Sequence, residues 1–437
     1  MALLLRNGNT VVLSSGYLAT VFEIGKDNHV NLIDSQHNIT RQGNNVNSEA
    51  MYTGKNVDLI EVGENVDSDQ NQFAIKSETK LPKNSDPTCS GESLTDPQRD
   101  ADIPHIISSD ISQCGQYVAM VSSEKNLLVW NLNSLELMNV RNVPRKPSRV
   151  RFTPLSSEIL VADKSGSLYS YPLLDDGSDG KLILSHLSML LDVVVTPDEK
   201  FVITCDRDEK IRVSDWTAPY NIQSFCQGHL EFVSAISLMP SNHSILVSGS
   251  GDGSIRFWDY YDGVELEALH CHTIHGDSDL DRKNLAVKSF SMQNINDKDL
   301  LCVCLSEFPG SLVYELEVQN MQIDIKFIKK ITYSSEPLCM MLDSLSIVWS
   351  VIPVNGQSVQ VECTGLKVNV NEDVKLTLSK INEQRGFLSE ALLIPSMIPQ
   401  LFKKKYETPS GEQVASSSVN GPPPKKAKQI YDEQGAT

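Results

Sequence analysis

The stretch GHLEFVSAISLMPSNHSILVSGSGDGSIRFWD, Gly228 to Asp259, decides the fold. Phe232 to Leu238 is a short apolar-rich run with the β-branched and aromatic residues that suit a strand. Pro240, Ser241 and Asn242 break it. Ile245 to Ser248 is a second run. Gly249, Gly251, Asp252 and Gly253 then predict a tight hairpin, because glycine takes positive φ without steric cost. Ile255 to Trp258 is a third run. A glycine-rich loop that cradles a nucleotide or S-adenosylmethionine opens a helix. A strand follows this one, so GSGDG is read as a turn and no cofactor is expected.

A copy of the stretch lies upstream. SHLSMLLDVVVTPDEKFVITCDRDEKIRVSDW, Ser185 to Trp216, repeats the order of His, apolar run, polar break, apolar run, acidic turn and third run. His186 and His229 are 43 positions apart, and Asp208 and Asp252 are 44 apart. EKNLLVW (Glu124 to Trp130) and SGSLYSY (Ser165 to Tyr171) match DEKIRVS (Asp208 to Ser214) and DGSIRFW (Asp252 to Trp258), with steps of 41, 43 and 44. A period of roughly 40–45 residues, with Gly-His near the start and Trp-Asp at the end, marks a WD-repeat propeller blade. The fold class is therefore all-β, a WD-repeat β-propeller, with its clearest repeats over 106–262. Blades of this kind tie their strands together by buried hydrogen bonds. His186 and Asp208 in one copy, and His229, Asp252 and Trp258 in the other, with Ser248 or Ser250, are assigned to that structural network. No catalytic residue is expected among them.

The rest of the chain sets bounds. Residues 36–104 are rich in Asn, Ser, Asp, Glu and Gln and poor in aromatics, which predicts a disordered insert in an early blade. Without it and a Pro- and Ser-rich basic tail over 395–437, roughly 320 residues remain, enough for about seven blades. Residues 1–394 then form one propeller. Thr10 to Leu13 or Leu18 to Phe22 is expected to close the ring by pairing with the last blade. The formal net charge is −18, and between Arg41 and Pro104 there are 12 acidic and 6 basic residues. Such a surface repels phosphate, so nucleic acid is expected to be engaged mainly through a complex. No run of about 18 apolar residues is present, so no membrane span is expected. The apolar start MALLLRN is too short for a signal peptide and reads as a first strand. Nine cysteines without regular spacing suggest reduced thiols.

Three further features invite chemistry. His270, Cys271, His272 and His275 are dense enough for a metal, but they sit in a polar inter-blade stretch and are read as a loop, with no metal expected. Phe402 to Glu407, FKKKYE, is placed against the propeller or a partner. Pro422 to Lys428, PPPKKAK, reads as a nuclear-import signal, which sets the expected location in the nucleus.

VADKSGSLYSYPL (Val161 to Leu173), HLSMLLDVVVTPDEKF (His186 to Phe201), DRDEKIRV (Asp206 to Val213) and SFCQGHLEFVS (Ser224 to Ser234) resemble the non-catalytic WD-repeat subunit of tRNA (guanine-N(7)-)-methyltransferase, the family called wuho in insects. The resemblance implies a chain without catalytic residues or cofactor. It would form a heterodimer with a separate catalytic subunit, which methylates a guanine in the tRNA variable loop, and would stabilise and position it. Lys164, Arg207, Lys210 and Arg212 lie in the matching motifs, in or beside turns of adjacent blades, and are the candidates for docking that subunit. Arg256 stands at the repeat position of Arg212, which leaves a purely structural arginine as the other reading there. The alternative function is a WD scaffold of another complex, such as a ubiquitin-ligase substrate receptor or a chromatin adaptor.

Overall fold

A computed structural model describes residues 2–7, 10–15, 18–23, 30–34, 39–42, 105–134, 136–174, 178–271, 285–354, 358–366, 370–383 and 398–402. The expected disorder of the insert over 43–104, together with His272, His275, Lys403 to Glu407 and Pro422 to Lys428, lies outside them.

Seven antiparallel sheets follow one another in chain order, each a meander whose neighbours in sequence are neighbours in space. Their innermost strands are Ala2–Asn7, Ile106–Ile111, Pro147–Phe152, Leu190–Val195, Val233–Leu238, Val287–Ile295 and Cys339–Leu342. Successive inner strands pack side by side, and Ala2–Asn7 lies against both Cys339–Leu342 and Ile106–Ile111. That contact closes a propeller. Against the seven blades expected from length, six sheets carry four or five strands and the last carries three among the described residues.

The burial of each strand explains the hydropathy of its sequence. Second strands are covered on both faces by the neighbouring sheets, so Tyr117–Ser122, Glu158–Asp163 and Phe201–Asp206 are buried almost throughout and read as unbroken apolar runs. Outer strands such as Glu136–Asn142 alternate between exposed and half-buried residues, because only one face meets protein. Every inner strand from the second sheet to the sixth has a register shift at its start, as at Val233/Ala235 and Leu190/Asp192. Such bulges bend the strand where it enters the ring.

Polar keys join the inner strands. Ser108 Oγ accepts the amide of Val150 (3.2 Å), Asp110 that of Phe152 (2.8 Å) and Ser291 that of Leu342 (3.1 Å). Asp192, fully buried, accepts from Ile236 on the next sheet (3.3 Å) and from Arg149 (3.1 Å) and Arg151 (3.0 Å) on the preceding one. Burial alone would raise the Asp192 pKa, but the two guanidinium charges outweigh it and hold the carboxyl low. Asp110 is farther from Arg151, at 3.8 Å, and there burial wins and raises the pKa.

Two expectations are corrected. Thr10–Ser15 and Leu18–Glu23 do not pair with the last sheet. They pair with each other and with Ala2–Asn7 and Val30–Asp34 inside the first sheet. That sheet ends in a strand at Ile39–Gln42, four residues that their polar composition had placed in the insert. At the other end, helix α1, Glu372–Glu383, packs Val374 and Ile381 on the three-stranded sheet. Asn371 caps it through the amide of Val374 (2.9 Å). The Asn382 side chain both donates to and accepts from the backbone of Val361 (2.9 and 2.8 Å), as an adjacent strand would.

Candidate partner-docking face

In the second to sixth sheets the turn between second and third strands bonds to the loop that enters the same sheet. Lys164 N donates to Lys146 O (3.0 Å), Arg207 N to Met189 O (3.0 Å) and Gly251 N to Phe232 O (2.8 Å). These turns and loops therefore share one face of the propeller. Lys164, Arg207 and Lys210 all lie on it, with Lys210 exposed and the other two half-buried.

Buried networks hold these turns. In the fifth sheet Trp258 Nε1 donates to Ser248 Oγ (2.8 Å), Ser248 Oγ meets His229 Nε2 (2.7 Å) and His229 Nδ1 meets Asp252 (3.0 Å). A neutral His229 with its proton on Nδ1 satisfies this chain of donors. Burial lowers the His229 pKa and outweighs the upward pull of Asp252. Burial opposes the charge of Asp252, yet the bonds from His229, Ser254 and the Leu230 amide hold its carboxyl well below the ordinary range. Ser248, not Ser250, is the middle member. Gly253, at φ +78°, forms the turn below Asp252, and a strand, Ser254–Asp259, follows it as a hairpin requires.

The fourth sheet departs from the expected pairing. His186 Nδ1 meets Asp206 (2.9 Å), and its Nε2 meets Thr204 (2.8 Å). Asp208, the repeat equivalent of Asp252, does not take that place. Asp206 ends the second strand and accepts the amides of Asp208 (2.9 Å) and Lys210 (3.0 Å) through its other oxygen. One carboxylate thus binds the histidine and closes the turn. In the fifth sheet the same position is Ser250, too short to reach the histidine as well, and the acid moves two residues on.

Arg212, half-buried like Lys164 and Arg207, is held by bonds of its own. Its guanidinium bonds Ser214 Oγ (2.8 Å) and Pro219 O (2.6 Å) of its own sheet and loop, and Ser185 O (3.4 Å) at the end of the third sheet's outer strand. Arg256 is bound likewise, to Ser254 and Glu265. Both arginines at this repeat position thus make bonds within the propeller.

The face carries apolar residues that the sequence reading passed over. Leu187 and Leu230 each follow the repeat histidine and are exposed. Their shared position in the two copies was the available signal. Beside them helix α2, Ile398–Leu401, buries Leu401 in the core cluster of the fourth and fifth sheets. Phe402, the first residue of FKKKYE, meets Phe232 edge to face, with centroids 5.1 Å apart. Of the histidine-cysteine group, Cys271 is buried and His270 exposed, and no cluster of metal ligands occurs among the described residues. No helix among them is long and apolar enough to cross a membrane.

Comparison with known proteins places this architecture. Residues 31–181 and 177–365 match the family described as tRNA methyltransferase TRM82 WD40 domain. The chain belongs to this family. A relative in Xenopus laevis, named tRNA (guanine-N(7)-)-methyltransferase non-catalytic subunit wdr4, is 33% identical over 308 residues, covering 69% of this chain and 77% of that protein. The human protein WDR4, with the same description, is 39% identical over 220 residues, half of this chain and 53% of its own length. The Drosophila mojavensis protein wuho is 47% identical over 130 residues, 30% of this chain and 34% of that protein. A chain in the crystal structure of a mitotic checkpoint complex shares the fold alone, with a TM-score of 0.50 and 9% identity over 80% of this chain and 86% of that one. The TRM82-family match runs from the fourth strand of the first sheet to the end of the seventh, so it takes in the turns and loops that carry Lys164, Arg207, Lys210, Leu187 and Leu230.

Proposed function

We propose that the chain is the non-catalytic subunit of a tRNA (guanine-N(7)-)-methyltransferase. It forms a heterodimer with a separate catalytic chain that binds S-adenosylmethionine and methylates a guanine in the tRNA variable loop. The observation that carries this reading is the family match across the propeller, joined to relatives described as that subunit. The docking face supports it. Exposed Leu187 and Leu230 stand near the turn carrying Arg207 and Lys210, and apolar anchors beside charges that set orientation are the usual make-up of a specific interface. A closed ring of sheets is a rigid platform, which suits a chain that holds another in its active shape. The location is the nucleus, on the strength of Pro422 to Lys428.

Two-chain reconstitution tests the proposal. Methyl transfer to tRNA is measured for the catalytic chain alone, this chain alone and both together. Activity only or mainly with both is expected. Absence of both association and stimulation overturns the reading. Within the pair, Lys210→Glu with Arg212→Glu should weaken co-purification at least tenfold, and unchanged co-purification and methylation would overturn the docking assignment.

A further inference from the structure

The opposite face of the propeller has a chemistry of its own. In the second to fifth sheets the antiparallel strands place the first-to-second and third-to-fourth turns there. Among their described residues these turns hold Asp179, Asp198, Glu199 and Asp262, against Lys200 alone. The strand ends beside them add Glu136, Glu158, Asp215 and Asp259, against Lys181. Lys200 Nζ is itself paired with Asp198 (3.1 Å). An apolar groove of about 610 Å³ opens on the same face at the second and third sheets. Cys114, Tyr117, Leu155, Pro172, Leu173 and Leu174 line it, with two serines and no charged residue. Leu155 is 74% exposed and Leu174 77%. Large aliphatic side chains held in water side by side at one groove mark a place where another apolar group docks.

The groove and the carboxylates are joined by bonds between turns. Gln113 N donates to Ser156 Oγ (3.3 Å), which ties the second sheet to the third. Leu155 N donates to Glu199 Oε1 (3.3 Å), which ties the third to the fourth and sets a carboxylate at the rim of the groove. Asp198 follows beside it. Burial, and then the charges of Asp198 and Asp259, raise the Tyr260 pKa, so both carboxylates lie near that ring. Tyr261, 53% exposed, stands edge to face with Phe201, with centroids 5.8 Å apart. Its carbonyl accepts from Gln223 (3.2 Å), and that of Tyr260 from Ser224, so the outer strand of the fourth sheet holds the tyrosine turn in place. A surface fixed in this way needs little ordering to bind.

We propose that this face is a second docking surface, which takes a basic segment of a further protein. An aliphatic side chain of that segment enters the groove at Leu155 and Leu174, and its lysine or arginine side chains meet Glu199, Asp198 and the ring of Tyr261. Charge complementarity identifies the partner. A neutral or acidic segment would cover the rim carboxylates without a counter-charge, and nucleic acid is repelled by them. A tyrosine beside carboxylates attracts a cation both by its ring face and by their charge. The surface lies away from Lys164, Arg207 and Lys210, so it leaves the first docking face free. The propeller then joins a third protein to the proposed two-chain enzyme.

The test uses the full chain, alone and with the catalytic chain, and a random peptide library displayed on phage. Selection on the wild type is countered by selection on Leu155→Ser with Leu174→Ser, whose exposed positions leave the fold intact. The expected peptides combine lysine or arginine with a large apolar residue. A synthetic copy of the leading peptide should bind the leucine variant at least tenfold more weakly than the wild type. Asp198→Asn with Glu199→Gln, which keeps the hydrogen-bond acceptors, and Tyr261→Ala should each weaken it about fivefold. Raising salt from about 0.05 M to about 0.3 M should weaken it severalfold. Methyl transfer by the two-chain complex should be unchanged in all three variants. No enrichment over the leucine variant, or enrichment of peptides without basic residues, overturns the inference. Loss of peptide binding when the catalytic chain is present also overturns it, by giving the face to that chain. A wild-type dimer that the leucine variant dissolves would give it to a second copy, and selected sequences like Pro422 to Lys428 would give it to this chain's own tail. Failure of the proposed function is separable, because the peptide is bound by this chain itself.

Discussion

Phe402 stands edge-on to Phe232, with ring centroids 5.1 Å apart and planes at 82°. Phe232 is fully buried at the loop that opens the fifth sheet, so the described end of the chain is fastened to the docking face. Edge-to-face pairs of this kind contribute about 0.5–1.5 kcal/mol beyond their burial. Phe402→Ala is expected to release helix α2. Hydrogen exchange at Ile398 to Leu401 should speed up markedly, while the global unfolding midpoint moves by only a few degrees. Cooperative loss of the whole propeller on the same substitution would show instead that α2 is part of its core.

The fourth sheet gives a paired comparison. Asp206→Ala leaves His186 Nδ1 and two turn amides without an acceptor, and is expected to cost about 2–4 kcal/mol. Asp208→Ala removes no side-chain bond seen among the described residues and should stay within about 0.5 kcal/mol. Urea unfolding of the two variants checks this. Equal destabilisation would mean that Asp208 shares the histidine.

Acid should weaken the fifth sheet first through His229. Its folded pKa lies below the ordinary 6.5 because burial disfavours the charged ring. The unfolded chain therefore binds more protons once the pH drops below about 6.5, and stability falls with it. Asp252, depressed in the folded state, adds a second loss only as pH falls below its unfolded value of 3.8. Urea midpoints should be level above about pH 7 and decline from about pH 6.5 downward. His229→Gln should flatten the upper part of that decline, at a lower overall stability. A wild-type midpoint that rises toward pH 5 would contradict the sign.

Asp192 is the buried charge on which two arginines converge. Asp192→Ala strands Arg149 and Arg151 and leaves the Ile236 amide unpaired, with an expected loss of about 3–5 kcal/mol. Asp192→Asn, which keeps an acceptor, should lose less. Thermal unfolding of both variants decides it, and a neutral Asp192→Ala would remove the carboxylate from any keying role.

The propeller was legible because steps of 41 to 44 residues kept the same turn types in register, and because doubly covered second strands leave unbroken apolar runs. Its exceptions have local causes. The His186 partner moved from Asp208 to Asp206 because a carboxylate at the strand end can serve the ring and the turn amides together, a spatial coincidence that alignment of repeats cannot see. The bonds of Arg212 were hidden because its acceptors, the carbonyl of Ser185 at the end of the third sheet's outer strand and that of Pro219, come near only in the fold. Ile39–Gln42 has a single apolar residue, Ile39, yet it pairs as an edge strand, where backbone bonding matters more than side-chain burial. Leu187 and Leu230 were written in both repeats, but an exposed leucine has no meaning until the face around it is known.

The inner-strand keys also have a direction. Where the donor is a backbone amide of an inner strand, Ser108 and Asp110 receive the third sheet, Asp192 the fifth and Ser291 the seventh, and the acceptor belongs to the earlier sheet, whereas Arg149 and Arg151 donate forward to Asp192. A ribosome releases the chain in that same order. Each of these three amide-donating inner strands thus meets a side-chain acceptor already in place when it emerges. Only the final step, in which Cys339–Leu342 comes to rest on Ala2–Asn7, must wait for both ends of the propeller.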